Sequence, residues 1–148
     1  YTGHAAIQRD IANLKAATGD AKIEEAFMTA VSPATLQILP NAFYKSREEY
    51  TWALAEAIRA EYRAIVDAGF ILQIDDPALV DIYDWWFSMK DDLAGYRQWA
   101  AYQVEAVNHA LAGIPEDRVR FHICWGSWHG PHKGDVPLKK VGRSWALY

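Results

Sequence analysis

The stretch AGFILQIDDPAL, residues 68–79, decides the fold of this 148-residue chain. Gly69 ends a preceding helix, because glycine readily adopts the left-handed backbone conformation found just past helix ends. The mostly apolar run at 70–74 predicts a buried strand, since strands covered on both faces lack regular polar alternation. Residues 75–77, Asp-Asp-Pro, close this strand, and another helix begins at Ala78. The stretch therefore predicts one strand that lies between two helices.

The same alternation of helices and strands continues on both sides of this stretch. Ser46 and Glu49 form a capping-box pattern at the start of the preceding helix. Strands that alternate with helices form βαβ units, so an α/β protein with parallel strands is predicted. The predicted helices are 5–17, 46–68, 78–90 and 91 or 92 to 113, and the predicted strands are 25–31, 70–74 and 119–124. Residues 34–44 are predicted to be a loop, in which a helical turn is left open.

The composition excludes several functional classes. Hydrophobic residues make up 51% of the chain, which is not the composition of a disordered protein. A net charge of −4 gives no basic surface for nucleic acid, so no nucleic-acid partner is expected. No apolar run approaches the roughly 20 residues of a membrane span, and no signal-peptide pattern is present. With a single cysteine an internal disulfide is excluded, and a reducing cytoplasm is the expected location.

Polar side chains lie at the end of each predicted strand. Ser32 follows the first strand, Asp75 and Asp76 follow the second, and His122 and Cys124 end the third. Because the carboxyl ends of parallel strands meet at one edge, where α/β proteins bind their ligands, we expect a functional site at this edge.

His122 and Cys124 form the clearest candidate metal site. Residues i and i+2 of a strand point to the same face, so the imidazole and the thiol are expected side by side. Zinc accepts both donors, but a catalytic zinc usually has three protein ligands. The third ligand is left open between His129, His132, Asp75 and another chain. A buried, inert thiol is the alternative interpretation of Cys124.

The other polar residues at the strand ends each have two interpretations. Neighbouring strand residues point to opposite faces, so Asp75 and Asp76 are not expected to share one site. Asp76 is predicted to cap the helix that begins at Ala78. Asp75 is predicted to bind an amine or to act as a base. Ser32 either contacts a ligand or closes its strand with a hydrogen-bonded turn.

These segments resemble the catalytic barrel of the cobalamin-independent methionine synthases and the related epoxyalkane–coenzyme M transferases. Residues 72–79 (LQIDDPAL) are similar to the QIDEPAL strand end of that family, with Asp76 where the synthases have Glu. Residues 120–124 (RFHIC) are similar to its H-x-C metal strand. The resemblance runs over residues 3–138, and it includes 29–35 (TAVSPAT), similar to a strand with a P-x-T turn, and 125–132 (WGSWHGPH), similar to an extension seen in one branch.

The resemblance implies a zinc ion that activates a thiol substrate for alkyl transfer. His122 and Cys124 would be zinc ligands, and Asp75 would hold the amine of an amino-acid thiol. The expected function is therefore zinc-dependent thiol methyl or alkyl transfer of the methionine synthase type, in methionine biosynthesis, with a small-molecule thiol as partner. We assign catalysis to Asp75 and His129, substrate binding to Asp75, Ser32 and Trp125, and metal binding to His122 and Cys124.

The resemblance also implies a TIM barrel, which normally takes about 250 residues. Since three strands cannot close a barrel, residues 1–138 are predicted to form a partial (β/α)8 barrel that self-association completes, giving a homo-oligomer. Residues 139–148 are expected to be an atypical tail. Two other functions stay open: a non-catalytic α/β module that binds a small molecule or self-assembles, and a metal-dependent hydrolase on the same scaffold.

Overall fold

The computed structural model describes residues 1–83, 90, 92–124 and 130–131. Helices and strands alternate along this part of the chain, as the sequence predicts. One short helix begins at Pro33 and extends into the segment 34–44, where the sequence predicts a loop and leaves a helical turn open. The helices are α1 (His4–Thr18), α2 (Pro33–Leu36), α3 (Arg47–Asp67), α4 (Ala78–Ile82) and α5 (Leu93–Leu111), and the strands are β1 (Phe27–Val31), β2 (Ile71–Asp75) and β3 (Val119–His122).

The ends of α3 follow the sequence signals. The Ser46 hydroxyl oxygen accepts a hydrogen bond from the Glu49 backbone N–H at 3.0 Å, so the predicted N-cap is confirmed. The Glu49 carboxylate accepts from the Lys45 N–H, one residue earlier than a capping box requires. At the other end Gly69 has φ +93°, the left-handed conformation predicted for the helix stop.

The three strands form one parallel sheet in the order β1-β2-β3. Ala30 of β1 lies opposite Ile74 of β2, and Ile74 lies opposite Phe121 of β3. The predicted α/β class and parallel strands are therefore confirmed, and a sheet of this kind fits part of a (β/α) barrel. Strand β3 ends at His122, two residues before the predicted end.

The helices cover one face of the sheet. On that face Leu72 and Ile74 are completely buried and pack in one hydrophobic cluster with Tyr62 of α3 and Val107 of α5. The opposite face is accessible, since Phe27 is 43% exposed there. A parallel sheet is normally covered on both faces, so this accessible face is where a second copy of the chain would bind. Self-association stays a prediction.

Within the described residues, no helix is both long and apolar enough to cross a membrane. Residues 139–148, the predicted tail, lie outside the described part of the chain. The same holds for Trp125, His129 and His132, and for most of the second half of the helix predicted at 78–90.

Candidate functional site at the strand ends

Backbone hydrogen bonds hold the three strand ends together at one edge of the sheet. The Ser32 N–H, just past β1, donates to the Asp75 carbonyl of β2 at 3.1 Å. The Asp76 N–H, just past β2, donates to the His122 carbonyl of β3 at 2.9 Å. The pairing therefore continues one residue beyond β1 and one residue beyond β2. It places the polar residues of the three strands at one edge, as predicted.

Asp75 and His122 are direct neighbours at this edge. They are register partners in the parallel pair β2–β3, so their side chains leave the same face of the sheet from strands that are about 4.8 Å apart. The Asp75 side chain is half-buried and His122 is exposed, and both lie on the accessible face. A carboxylate and an imidazole thus stand side by side where a ligand can reach them. Cys124 follows two residues after His122, beyond the regular strand, and is half-buried.

Two further polar residues of the same face are connected to the Asp75 carboxylate. Gln73 contacts it directly, and Arg120 contacts Gln73. The Gln73 side-chain amide donates to Asp75 Oδ1 at 2.8 Å. Arg120 Nε donates to Gln73 Oε1 at 2.7 Å, and the Arg120 guanidinium carbon lies 3.5 Å from the ring centroid of Phe27. Sequence reasoning assigned no role to Gln73 or Arg120. Strand alternation gave the signal, because Gln73 is two residues before Asp75 and Arg120 is two before His122.

Asp76 faces the opposite, covered side of the sheet. Its side chain is completely buried, and Oδ1 accepts hydrogen bonds from the Leu79 backbone N–H and the Thr35 hydroxyl, both at 3.3 Å. The predicted capping role at the start of α4 is therefore confirmed, and Asp76 also joins α2 to α4.

Burial sets the protonation behaviour of Asp76. Desolvation raises the pKa of the Asp76 carboxyl to about 6, although hydrogen bonds from Ser32, Leu79 and Thr35 lower it in part. Within the described part of the chain, Asp76 Oδ2 is buried without a hydrogen-bond partner. The Asp76 charge in turn raises the pKa of the nearby Tyr62 hydroxyl, which burial raises most. Asp76 is thus a structural group with a perturbed pKa, set apart from the accessible face that carries Asp75.

Ser32 serves as a cap in this structure. Its side chain is completely buried, and its hydroxyl oxygen accepts from the Thr35 backbone N–H at 3.0 Å. The hydrogen-bonded turn at the end of β1, one of the two interpretations of Ser32, is therefore what the structure shows. A substrate contact by Ser32 stays a prediction.

The donor atoms at this edge are of the types that zinc binds, but the described residues supply only two of the three protein ligands that a catalytic zinc usually has. His122 and Cys124 offer an imidazole nitrogen and a thiol sulfur, the ligands that zinc accepts most readily. Across residues 1–83, 90, 92–124 and 130–131, no group of three or more His, Cys, Asp and Glu side chains is placed to hold a metal ion. The candidate third ligands His129 and His132, together with the substrate-binding candidate Trp125, lie outside those residues.

Proteins named methionine synthase are similar in sequence to this chain. The chain is 32% identical over 111 residues to proteins named methionine synthase in Saccharolobus islandicus and Saccharolobus solfataricus. It is 33% identical over 89 residues to the methionine synthase of Sulfurisphaera tokodaii. The Saccharolobus matches cover 73% of this chain and 29% of the relatives, and the Sulfurisphaera match covers 60% and 22%.

The chain therefore spans less than a third of the length of these curated relatives. No family model and no solved structure matches it. The predicted resemblance of this chain to the methionine synthases is thereby confirmed over the 111 residues that match.

Proposed function

We propose that the chain carries part of the active site of a methionine synthase-like enzyme that transfers a methyl group to a thiol by the zinc-dependent, cobalamin-independent route. One observation carries this proposal: Asp75 and His122 are register partners that leave the same accessible face at adjacent strand ends. The relatives named methionine synthase supply the reaction class, since a synthase of methionine must methylate the sulfur of an amino-acid thiol.

Asp75 would hold the ammonium group of the amino-acid thiol. An ionised carboxylate forms charge-assisted hydrogen bonds with an ammonium group, and these are roughly twice as strong as neutral ones. The half-buried position of Asp75 strengthens such a bond, because less water competes for it than at a fully exposed site. Since His122 lies on the adjacent strand, a substrate held by its amine at Asp75 would bring its sulfur towards His122 and Cys124.

His122 and Cys124 would hold the zinc ion. Bound zinc would lower the pKa of the substrate thiol and so keep the sulfur as the nucleophilic thiolate. The third protein ligand would be His129, His132, Asp75 or a residue of another chain. A reducing cytoplasm is the proposed location, because it keeps the Cys124 thiol available to a metal.

Zinc content tests this assignment. The protein is loaded with zinc and passed through a desalting column, and the bound metal is measured for the wild type, Cys124→Ala and His122→Ala. Near-stoichiometric zinc in the wild type and its loss in both variants would support the proposal. His109→Ala is the matched control, because His109 lies on α5 and contacts Glu56 of α3. Equal zinc in all four proteins would refute the role of His122 and Cys124. A protein that binds zinc but does not bind a thiol substrate would favour the alternative function, a metal-dependent hydrolase.

A second candidate function, self-assembly, rests on the accessible face of the sheet. On this face Phe27 is 43% exposed and Val31 is 36% exposed. In most proteins both faces of a parallel sheet are covered by other parts of the protein. We therefore propose that a second copy of the chain covers this face. Sedimentation equilibrium tests it: Val31→Lys should shift the protein towards monomer, whereas Ile38→Lys, at a residue that is 78% exposed away from the sheet, should not. A wild type that is monomeric at every concentration would refute this proposal.

A further inference from the structure

A chain of side-chain contacts crosses the accessible face and ends at Asp75. Phe27 of β1 carries the Arg120 guanidinium of β3 on its ring, with 3.5 Å between the guanidinium carbon and the ring centroid. Arg120 Nε donates to Gln73 Oε1 at 2.7 Å, and Gln73 Nε2 donates to Asp75 Oδ1 at 2.8 Å. This series of contacts therefore uses residues of all three strands and reaches the carboxylate of Asp75, the register partner of His122.

The orientation of the Gln73 amide follows from the chemistry of its two neighbours. A guanidinium has only N–H donors, so it must face the amide oxygen. An ionised carboxylate has only acceptors, so it must face the amide nitrogen. Arg120 on one side and Asp75 on the other thus select the same orientation of Gln73. Without Arg120 the amide could turn its oxygen towards Asp75 and would then repel the carboxylate.

We infer that Gln73 is a positioning residue for Asp75, and that Arg120 sets the direction in which Gln73 donates. The inference rests on the proposed function, because it takes Asp75 as the group that binds the substrate amine. The hydrogen bond from Gln73 fixes one oxygen of Asp75 and therefore fixes the plane of the carboxylate. A fixed carboxylate binds an ammonium group in one position, which places the rest of the substrate relative to His122.

The contacts of Phe27 explain how an exposed arginine holds this geometry. Stacking on an aromatic ring restricts the long Arg120 side chain and adds a cation–π attraction. Since Phe27 and Arg120 belong to the two outer strands, the contact spans β2 and passes directly over it. Arg120 is thus held near Gln73 by the sheet itself.

The first test examines the contacts without any ligand. In the ligand-free protein, NMR records the two side-chain amide protons of Gln73 for the wild type, Arg120→Leu and Asp75→Asn. Both substitutions should move these signals towards the values of an exposed glutamine. Thr29→Val is the matched control, because Thr29 lies opposite Gln73 on the same face and is not part of the contact chain. Gln73 signals that no substitution moves would overturn the inference.

The second test measures ligand selectivity with two thiols that differ only in the amine. The probes are L-homocysteine and 4-mercaptobutanoate, which lacks the amino group, and binding is measured by calorimetry on the zinc-loaded protein. Gln73→Leu should weaken L-homocysteine binding roughly tenfold, the effect of losing alignment at one charged hydrogen bond, and leave 4-mercaptobutanoate unchanged. The double variant Asp75→Asn/Gln73→Leu should lose no more of the preference for L-homocysteine over 4-mercaptobutanoate than Asp75→Asn alone, because both substitutions act on the same contact.

The outcomes separate this inference from the proposed function. If Gln73→Leu weakens both thiols equally, Gln73 has only a structural role and the inference is overturned. If the NMR contacts are present but the wild type does not prefer L-homocysteine, Asp75 does not bind the amine. The proposed function then fails at that point, while the orientation of Gln73 by Arg120 stands.

Discussion

Replacing Asp76 by asparagine should stabilise the protein near neutral pH, because the substitution removes a buried charge. The pKa of the Asp76 carboxyl rises from 3.8 to about 6 on folding, with burial as the largest cause. Between these two values the folded state binds more protons than the unfolded state, so the stability falls as pH rises. Two pKa units correspond to about 3 kcal/mol that is lost by the time the pH passes 6. The asparagine side chain keeps an acceptor for the Leu79 N–H and carries no charge.

The free energy of unfolding, measured in urea from pH 4 to pH 7.5, checks this prediction. The difference between Asp76→Asn and wild type should grow in favour of the variant as pH rises through the window from about 4 to 6. Taking the difference removes the contributions of all other titrating groups. Asp20→Asn is the control, because it makes the same chemical change at an exposed position in the turn after α1.

A difference between Asp76→Asn and wild type that stays constant from pH 4 to pH 7.5 would refute the reasoning. It would mean that Asp76 is solvated in the folded protein, contrary to its complete burial between α2 and α4. A difference in the free energy of unfolding that shifts in favour of the wild type between pH 4 and pH 7.5 would refute it as well.

Four further substitutions, at three positions, test the fold by urea unfolding. Ser46→Ala should lower the free energy of unfolding by about 1 kcal/mol, because α3 loses its N-cap bond to Glu49, and an unchanged midpoint would contradict that cap. Leu72→Ala should cost about 2–5 kcal/mol, because Leu72 is completely buried in the main cluster, and a cost well below that would place it at the surface. Gly69→Ala should cost about 1 kcal/mol, because φ is +93° and the added Cβ contacts nothing within 4 Å, whereas Gly69→Asn should cost less.

The helices and strands were largely predictable because local signals define them. Ser46 and Gly69 mark the ends of α3 through chemistry that depends on a few neighbouring residues. The parallel sheet followed from the alternation of strands with long helices, and so did the meeting of Ser32, Asp75 and His122 at one edge. Asp76 as a cap followed from strand alternation and from its place before Pro77.

The contacts among side chains of different strands were not predictable in the same way. That Arg120 reaches Gln73 depends on the register of β3 against β2, which the sequence does not state. The helical turn α2 forms because the buried Ser32 caps it, whereas the pattern at 34–44 leaves a helical turn open without giving its position. The burial of Ser32 and Asp76 depends on how α2 and α4 pack over the strand ends.

Proton release on thiol binding tests most directly the claim that this edge of the sheet activates a thiol. The zinc-loaded protein is mixed with L-homocysteine at pH 7 in a weak buffer that contains a pH indicator. A free thiol has a pKa near 8.5, so binding as the thiolate should release about one proton per site. Cys124→Ala should abolish this release. L-homocysteine that binds without releasing a proton, or releases it equally in Cys124→Ala, would contradict the account.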